Sequence, residues 1–124
     1  MTDPRPVFFD LLRIQLPVGA LTSITHRITG VILALAIALG VYLLDLSLRG
    51  PEGYARVAAL LGATPSRIAA VALTWALAHH LLAGIRHLLS DIDVGSGLPS
   101  SRRSAWFVNV SGVAVALLAA GALL

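Results

Sequence analysis

Residues 68–92 of this 124-residue chain read IAAVALTWALAHHLLAGIRHLLSDI, and the chemistry begins with the two adjacent histidines inside it, His79 and His80. No residue between Arg67 and Arg86 carries a formal charge, so both imidazoles lie in a segment greasy enough to cross a bilayer. An intramembrane imidazole is costly unless a partner or a metal takes it up, which makes its default reading functional. Neutral imidazole is also the commonest protein ligand for metals, haem iron included. Successive residues leave a helix about 100° apart, so at most one of the pair faces a given site.

Two polar strips accompany them. Ser23, His26, Arg27 and Gly30 follow i, i+3, i+4, i+7 and share one face of an apolar helix. His80, Gly84, His87 and Asp91 follow i, i+4, i+7, i+11 on another. A glycine on each strip lets a flat object or another helix approach the backbone closely, so the two faces are shaped to clasp a ring system. His80 lies roughly 9 Å deeper than Arg86 along its helix. A haem standing on edge with its iron near His80 sends its propionates toward Arg27, Arg86, His26 and His87, and carboxylates favour such cationic donors. Blander roles stand beside these. Arg27 and Arg86 can snorkel to headgroups, and Ser23 can bond back to its own helix. His87 can sit in the interface as an ordinary polar residue, and Asp91 can be a solvated helix-end charge. Trp75, Tyr42 and Trp106 read as packing or interface aromatics.

The elements that must hold these strips are long and apolar. The chain is 57% hydrophobic and 12% charged, too few charges for a soluble domain of this size. Three stretches, about 17–48, 65–92 and 104–124, reach the roughly 20 residues a membrane-spanning helix needs. At these lengths only helices satisfy their own backbone in lipid, and the alternation of a barrel strand is missing. The expected fold is therefore an all-α membrane protein, a single domain of three transmembrane helices over residues 1–124. Pro51–Gly62 reads as a short amphipathic helix lying on the membrane surface. Asp93–Ser104 reads as a polar Gly/Ser/Pro loop, with Ser101 or Ser104 capping the third span. Thr64-Pro65 reads as an N-cap followed by a first-turn proline, and Pro17 suits the opening turn of the first span.

Charge and composition close off other functions. All nine basic residues are arginine, without a basic run or an aromatic stacking platform, which argues against nucleic acid as a partner. Cysteine is absent, so there is no thiolate zinc or iron–sulfur site and no cysteine nucleophile. Three spans put the N-terminus and the 93–104 loop on one side, with Arg5, Arg13, Arg102 and Arg103 and, close by, Arg27 and Arg86. Arg49, Arg56 and Arg67 lie on the other. The bias predicts a cytoplasmic N-terminus. Residues 1–17 contain acids and prolines, with neither the apolar core and cleavage site of a signal peptide nor the character of a transit peptide, which favours a bacterial plasma membrane.

Taken together, S-I-T-H-R-I-T-G (Ser23–Gly30) and H-H-L-L-A-G-I-R-H-L-L-S-D (His79–Asp91) resemble the cytochrome b subunit of succinate dehydrogenase, a membrane anchor of respiratory complex II. Arg5-Pro6, the P-E-G of Pro51–Gly53 and the three-span layout agree, so the resemblance covers nearly the whole chain. It implies a haem b with His80 as one axial ligand and the other supplied by a second membrane anchor subunit, in one larger bundle. It implies a ubiquinone site using Ser23 and Arg27, beneath the iron–sulfur subunit. His26 and Arg27 correspond to residues near the haem propionates, with His87 a looser match. The implied work is passing electrons from succinate, oxidised in a flavoprotein subunit, to quinone, with no catalytic centre in this chain alone. Rival readings are the anchor of a fumarate reductase, another haem-b membrane protein carrying both ligands in one chain, and a non-redox scaffold whose polar residues glue helices together. The absence of histidine from the third span opposes the second of these.

Overall fold

A computed structural model describes residues 15–124; Arg5, Pro6 and Arg13, on which part of the charge bias and of the resemblance rests, lie outside the described residues. The described residues form four helices, α1 (Val18–Leu48), α2 (Pro51–Gly62), α3 (Thr64–Asp91) and α4 (Leu98–Leu123), with no strand among them. Three of these, α1, α3 and α4, are long and apolar enough to cross a membrane, and α2 is the short helix between the first two. At 1.5 Å per residue they run about 39–46 Å, longer than a hydrocarbon core of about 30 Å, so their ends reach the headgroups or the helices tilt.

Packing is inverted relative to a soluble protein. The most fully buried large side chains are His79, Thr22 and Thr29, while leucines, isoleucines and valines cover the outside. Lipid tails are as apolar as leucine, so association between spans relies on close backbone approach and directed hydrogen bonds. Small residues provide the approach: Ala76 and Ala83 are buried on α3, Ala105, Val108 and Gly112 on α4, and Thr22 and Thr29 on α1. Each helix repeats a small or hydroxylated residue at i, i+7, two turns apart on one face. α3 is central, packing against both α1 and α4, while α1 and α4 touch more lightly.

The connections are short and sterically specified. Gly50 sits at φ 135°, ψ −179°, a conformation open essentially to glycine, and turns the chain from α1 into α2. Gly53 brings α2 against the end of α1, where any Cβ would collide with the Leu46 carbonyl. Ala63 alone separates α2 from α3, and the Ser66 hydroxyl donates back to the Leu60 carbonyl at 2.6 Å. α3 ends in a Schellman motif with Asp93 at φ 60°: Val94 N–H donates to Leu89 O (2.9 Å) and Asp93 N–H to Ser90 O (3.1 Å).

Three local expectations need correction. α4 starts at Leu98, so residues 98–104 are helical rather than loop, and Pro99 occupies the first turn. Ser101 and Ser104 therefore lie inside the helix, and its N-cap is Gly97, without a side-chain cap bond. Thr64 is likewise the first residue of α3, whose N-cap is Ala63. In both cases proline suits the opening turn, where its missing N–H leaves no bond unmade.

Replacing Gly50 or Gly53 by alanine is expected to destabilise the α1–α2 corner by about 1–3 kcal/mol. Thermal unfolding in detergent checks this: both midpoints should fall, while Gly62→Ala, whose Cβ meets nothing within 4 Å, should leave it unchanged.

Candidate site: a stack of histidines between α1 and α3

α1 brings His26 to α3, and α3 presents His80 and His87 to it, two turns apart on one face. The three rings stack: His26 and His80 lie 4.2 Å apart between centroids with an 18° interplanar angle, and His26 and His87 5.0 Å apart at 21°. Glycine makes this possible on both helices. A Cβ at Gly30 would stand 2.9 Å from Cε1 of His80, and one at Gly84 would stand 3.5 Å from Nε2 of His26. The glycine of each strip thus receives the imidazole of the opposite helix.

The hydrogen bonds set the ring states. A carbonyl oxygen can only accept, so His80 Nδ1–H donates to the His26 carbonyl at 3.0 Å, with the Thr29 hydroxyl a second acceptor at 3.3 Å. Thr29 in turn donates to the carbonyls of Thr25 (2.9 Å) and His26 (3.0 Å). His87 Nδ1–H donates to the Ala83 carbonyl at 2.7 Å. In the neutral form the rings of His80 and His87 therefore carry their protons on Nδ1 and a lone pair on Nε2. His79 faces the other way, about 100° round α3, and meets Asn109 of α4 at 3.1 Å.

The remaining residues of the two strips divide. Ser23 is half-buried and Arg27 is exposed on the outer side of α1, and neither side chain bonds to another described residue. Arg27 lies about 14 Å along α1 from Val18, between His26 and Ile28. Arg86 does not join the stack. Its Nε donates to the Ser104 hydroxyl (3.0 Å) and its Nη2 to the Ser101 hydroxyl (2.7 Å) and carbonyl (3.3 Å), which ties α3 to the opening turns of α4. Asp91 is exposed at the end of α3. Thr29 and Asn109 were not singled out from sequence, and Ser101 and Ser104, which hold Arg86, were read only as candidate caps of the last span. Asn109, the chain's one asparagine, stands inside the apolar run of the last span, and that rarity was a usable signal.

This geometry defines a three-span membrane subunit with an imidazole stack held between two of its helices. Comparison with known proteins agrees. The family of succinate dehydrogenase/fumarate reductase transmembrane subunits matches residues 1–121. Similar proteins include the succinate dehydrogenase cytochrome b556 subunits of Coxiella burnetii, 36% identical over 89% of this chain and 89% of the relative, and of Paracoccus denitrificans, 32% identical over 92% and 88%. That of Rickettsia felis is 32% identical over 94% of this chain and 90% of the relative. The chain belongs to the succinate dehydrogenase/fumarate reductase transmembrane subunit family. It is a multi-pass membrane anchor, a non-catalytic subunit of a larger complex, and its bacterial relatives point to the inner membrane.

Because the Gly30 backbone faces the His80 ring directly, Gly30→Ala must push that ring and stretch its bond to the His26 carbonyl. Gly84→Ala adds only an ordinary contact to His26 and should be tolerated. The yield of assembled complex from membranes carrying each variant checks this, with the loss confined to Gly30→Ala.

Proposed function

We propose that this chain is the cytochrome b anchor of succinate dehydrogenase, holding haem b through His80 and lending ubiquinone a polar socket from Ser23 and Arg27. The observation that carries the reading is the state of His80. Metal-bound histidines usually donate the other ring N–H to a carbonyl or carboxylate, which fixes tautomer and orientation. His80 has that arrangement: Nδ1–H is given to the His26 carbonyl, and Nε2 is left with its lone pair. A metal approaches a ring nitrogen in the ring plane, so the stacked His26 steadies the face of His80 without covering Nε2. Among the described residues no three His, Cys, Asp or Glu side chains converge on a point. His80 thus offers one bond to a metal whose other ligands come from elsewhere, as the porphyrin nitrogens of haem do.

The donor set fits haem, which, held by His80 and an imidazole from a second membrane anchor subunit, would supply a one-electron store. The soluble iron–sulfur and flavoprotein subunits would complete the assembly. His26, Arg27 and His87 are assigned to the propionate side, on the strips that flank His80. Arg86 joins them only by leaving Ser101 and Ser104. On the quinone, Ser23 donates to a carbonyl oxygen and the Arg27 guanidinium stabilises negative charge developing there on reduction. The N-terminus is assigned to the cytoplasm, which puts this socket near the inner surface. The same arrangement serves fumarate reduction in reverse; the relatives, all named for succinate dehydrogenase, favour the forward direction.

A reduced-minus-oxidised absorption spectrum of the purified complex tests the haem assignment. The b-type signal should be lost in His80→Ala and kept in His79→Ala; loss only in His79→Ala overturns it. For the quinone role, Ser23→Ala and Arg27→Leu should slow quinone reduction while succinate oxidation by a soluble artificial acceptor survives. Equal loss of both activities points to failed assembly and counts against the socket.

A further inference from the structure

Two adjacent imidazoles leave α3 in different directions, and each is held by a different neighbour. His80 bonds to α1. His79, 2% exposed, gives its Nε2 proton to Asn109 Oδ1 of α4 at 3.1 Å. The same Oδ1 lies 3.2 Å from the fully buried Thr22 hydroxyl of α1, which shares its single proton with the Val18 carbonyl at 2.9 Å. One hydrogen-bonded relay therefore joins all three spans and starts from the residue next to His80.

We infer that the His79–Asn109–Thr22 relay fixes the rotation of α3 about its axis and so sets the plane and reach of the His80 imidazole toward haem iron. The inference rests on the reading of His80 as the iron ligand. His79, Asn109 and Thr22 are positioning residues, and none of them meets the iron.

Two observations support it. First, apart from the Arg86 bonds to Ser101 and Ser104 near the end of α3, the other buried residues along α3 and α4 are Ala76, Ala83, Ala105, Val108 and Gly112, small groups that carry no direction. Side-chain tips ride about 5–6 Å from a helix axis, so turning α3 by about 20° carries a ring nitrogen sideways by about 2 Å. That breaks a hydrogen bond of 3.0–3.1 Å, and the two histidines are tied on different sides of the helix. Second, His79 leaves its Nδ1 buried with no hydrogen-bond partner among the described residues. A side chain needed only to fill space would not carry an unsatisfied nitrogen into the interior, where such groups are unfavourable. What the imidazole supplies is one aimed bond. Its seat is shaped for it: a Cβ at Gly112 would stand 3.5 Å from both His79 Cβ and Trp75 Nε1, and the Trp75 ring lies 5.9 Å from that of His79.

The test uses the purified complex with its partner subunits, wild type and Asn109→Leu, Thr22→Val, His79→Leu and His79→Gln. The readouts are haem content, midpoint potential and the low-temperature electron paramagnetic resonance of ferric haem, whose g values follow the orientation of the axial imidazole planes. Asn109→Leu is expected to assemble and keep haem, with shifted g values and potential, and Thr22→Val to shift both less in the same direction. His79→Gln, whose amide nitrogen stands near the place of Nε2, should return both toward wild type. His79→Leu added to Asn109→Leu should add nothing, because the bond is already gone. Unchanged g values and potential in Asn109→Leu and His79→Leu overturn the inference. Failure of both Asn109→Leu and Thr22→Val to assemble also overturns it, since the relay then holds the fold rather than the ring. A wild-type complex without b-type haem, or haem kept in His80→Ala, instead removes the earlier reading of His80.

Discussion

Inside a bilayer a polar side chain has no water to fall back on, and this chain places two imidazoles at one level of one helix. Each therefore has to be accommodated by protein or by something bound to it. α3 meets that requirement by sending His80 to a backbone carbonyl of α1 and His79 to the amide of Asn109 on α4. The order of the spans follows: α3 is central because its polar groups have partners on both flanks, and α1 and α4 touch through Thr22 and Asn109. Arg86 obeys the same rule near the end of α3, resting on two serines in the opening turns of α4.

Around those bonds, packing is a matter of clearance. Alanine, threonine and glycine recur two turns apart on the inward faces, letting the helices approach closely enough for short hydrogen bonds to form. Gly30 and Gly84 do this at the candidate site, each receiving an imidazole from the facing helix. The stacked rings of His26 and His80 lie 4.2 Å apart, so each supports the face of the other. On α1, Ser23 is half-buried and Arg27 is exposed.

The spans were legible because length and hydropathy alone decide whether a helix can cross a membrane, and the face shared by His26 and Gly30 was legible from spacing. The start of α4 was not. Pro99, the serines and two arginines have the composition of a loop, and only contact with Arg86 shows why they are helical. The partners of Arg86 were hidden for a related reason: spacing gives the level at which a side chain starts, but a long guanidinium goes to whichever acceptors are near. The role of His79 depends on a partner 30 residues away in sequence. The rarity of asparagine was a signal at Asn109, but its partners became visible only when three helices were placed side by side.

The relay from Thr22 through Asn109 to His79 lies wholly within one polypeptide. Its bonds can close as soon as the last helix has been inserted, before prosthetic group or companion subunits arrive. On the proposed reading of His80, an arriving prosthetic group would then find its nitrogen already presented, with little chain to reorder, and synthesis of the polypeptide and delivery of the pigment would run on separate schedules.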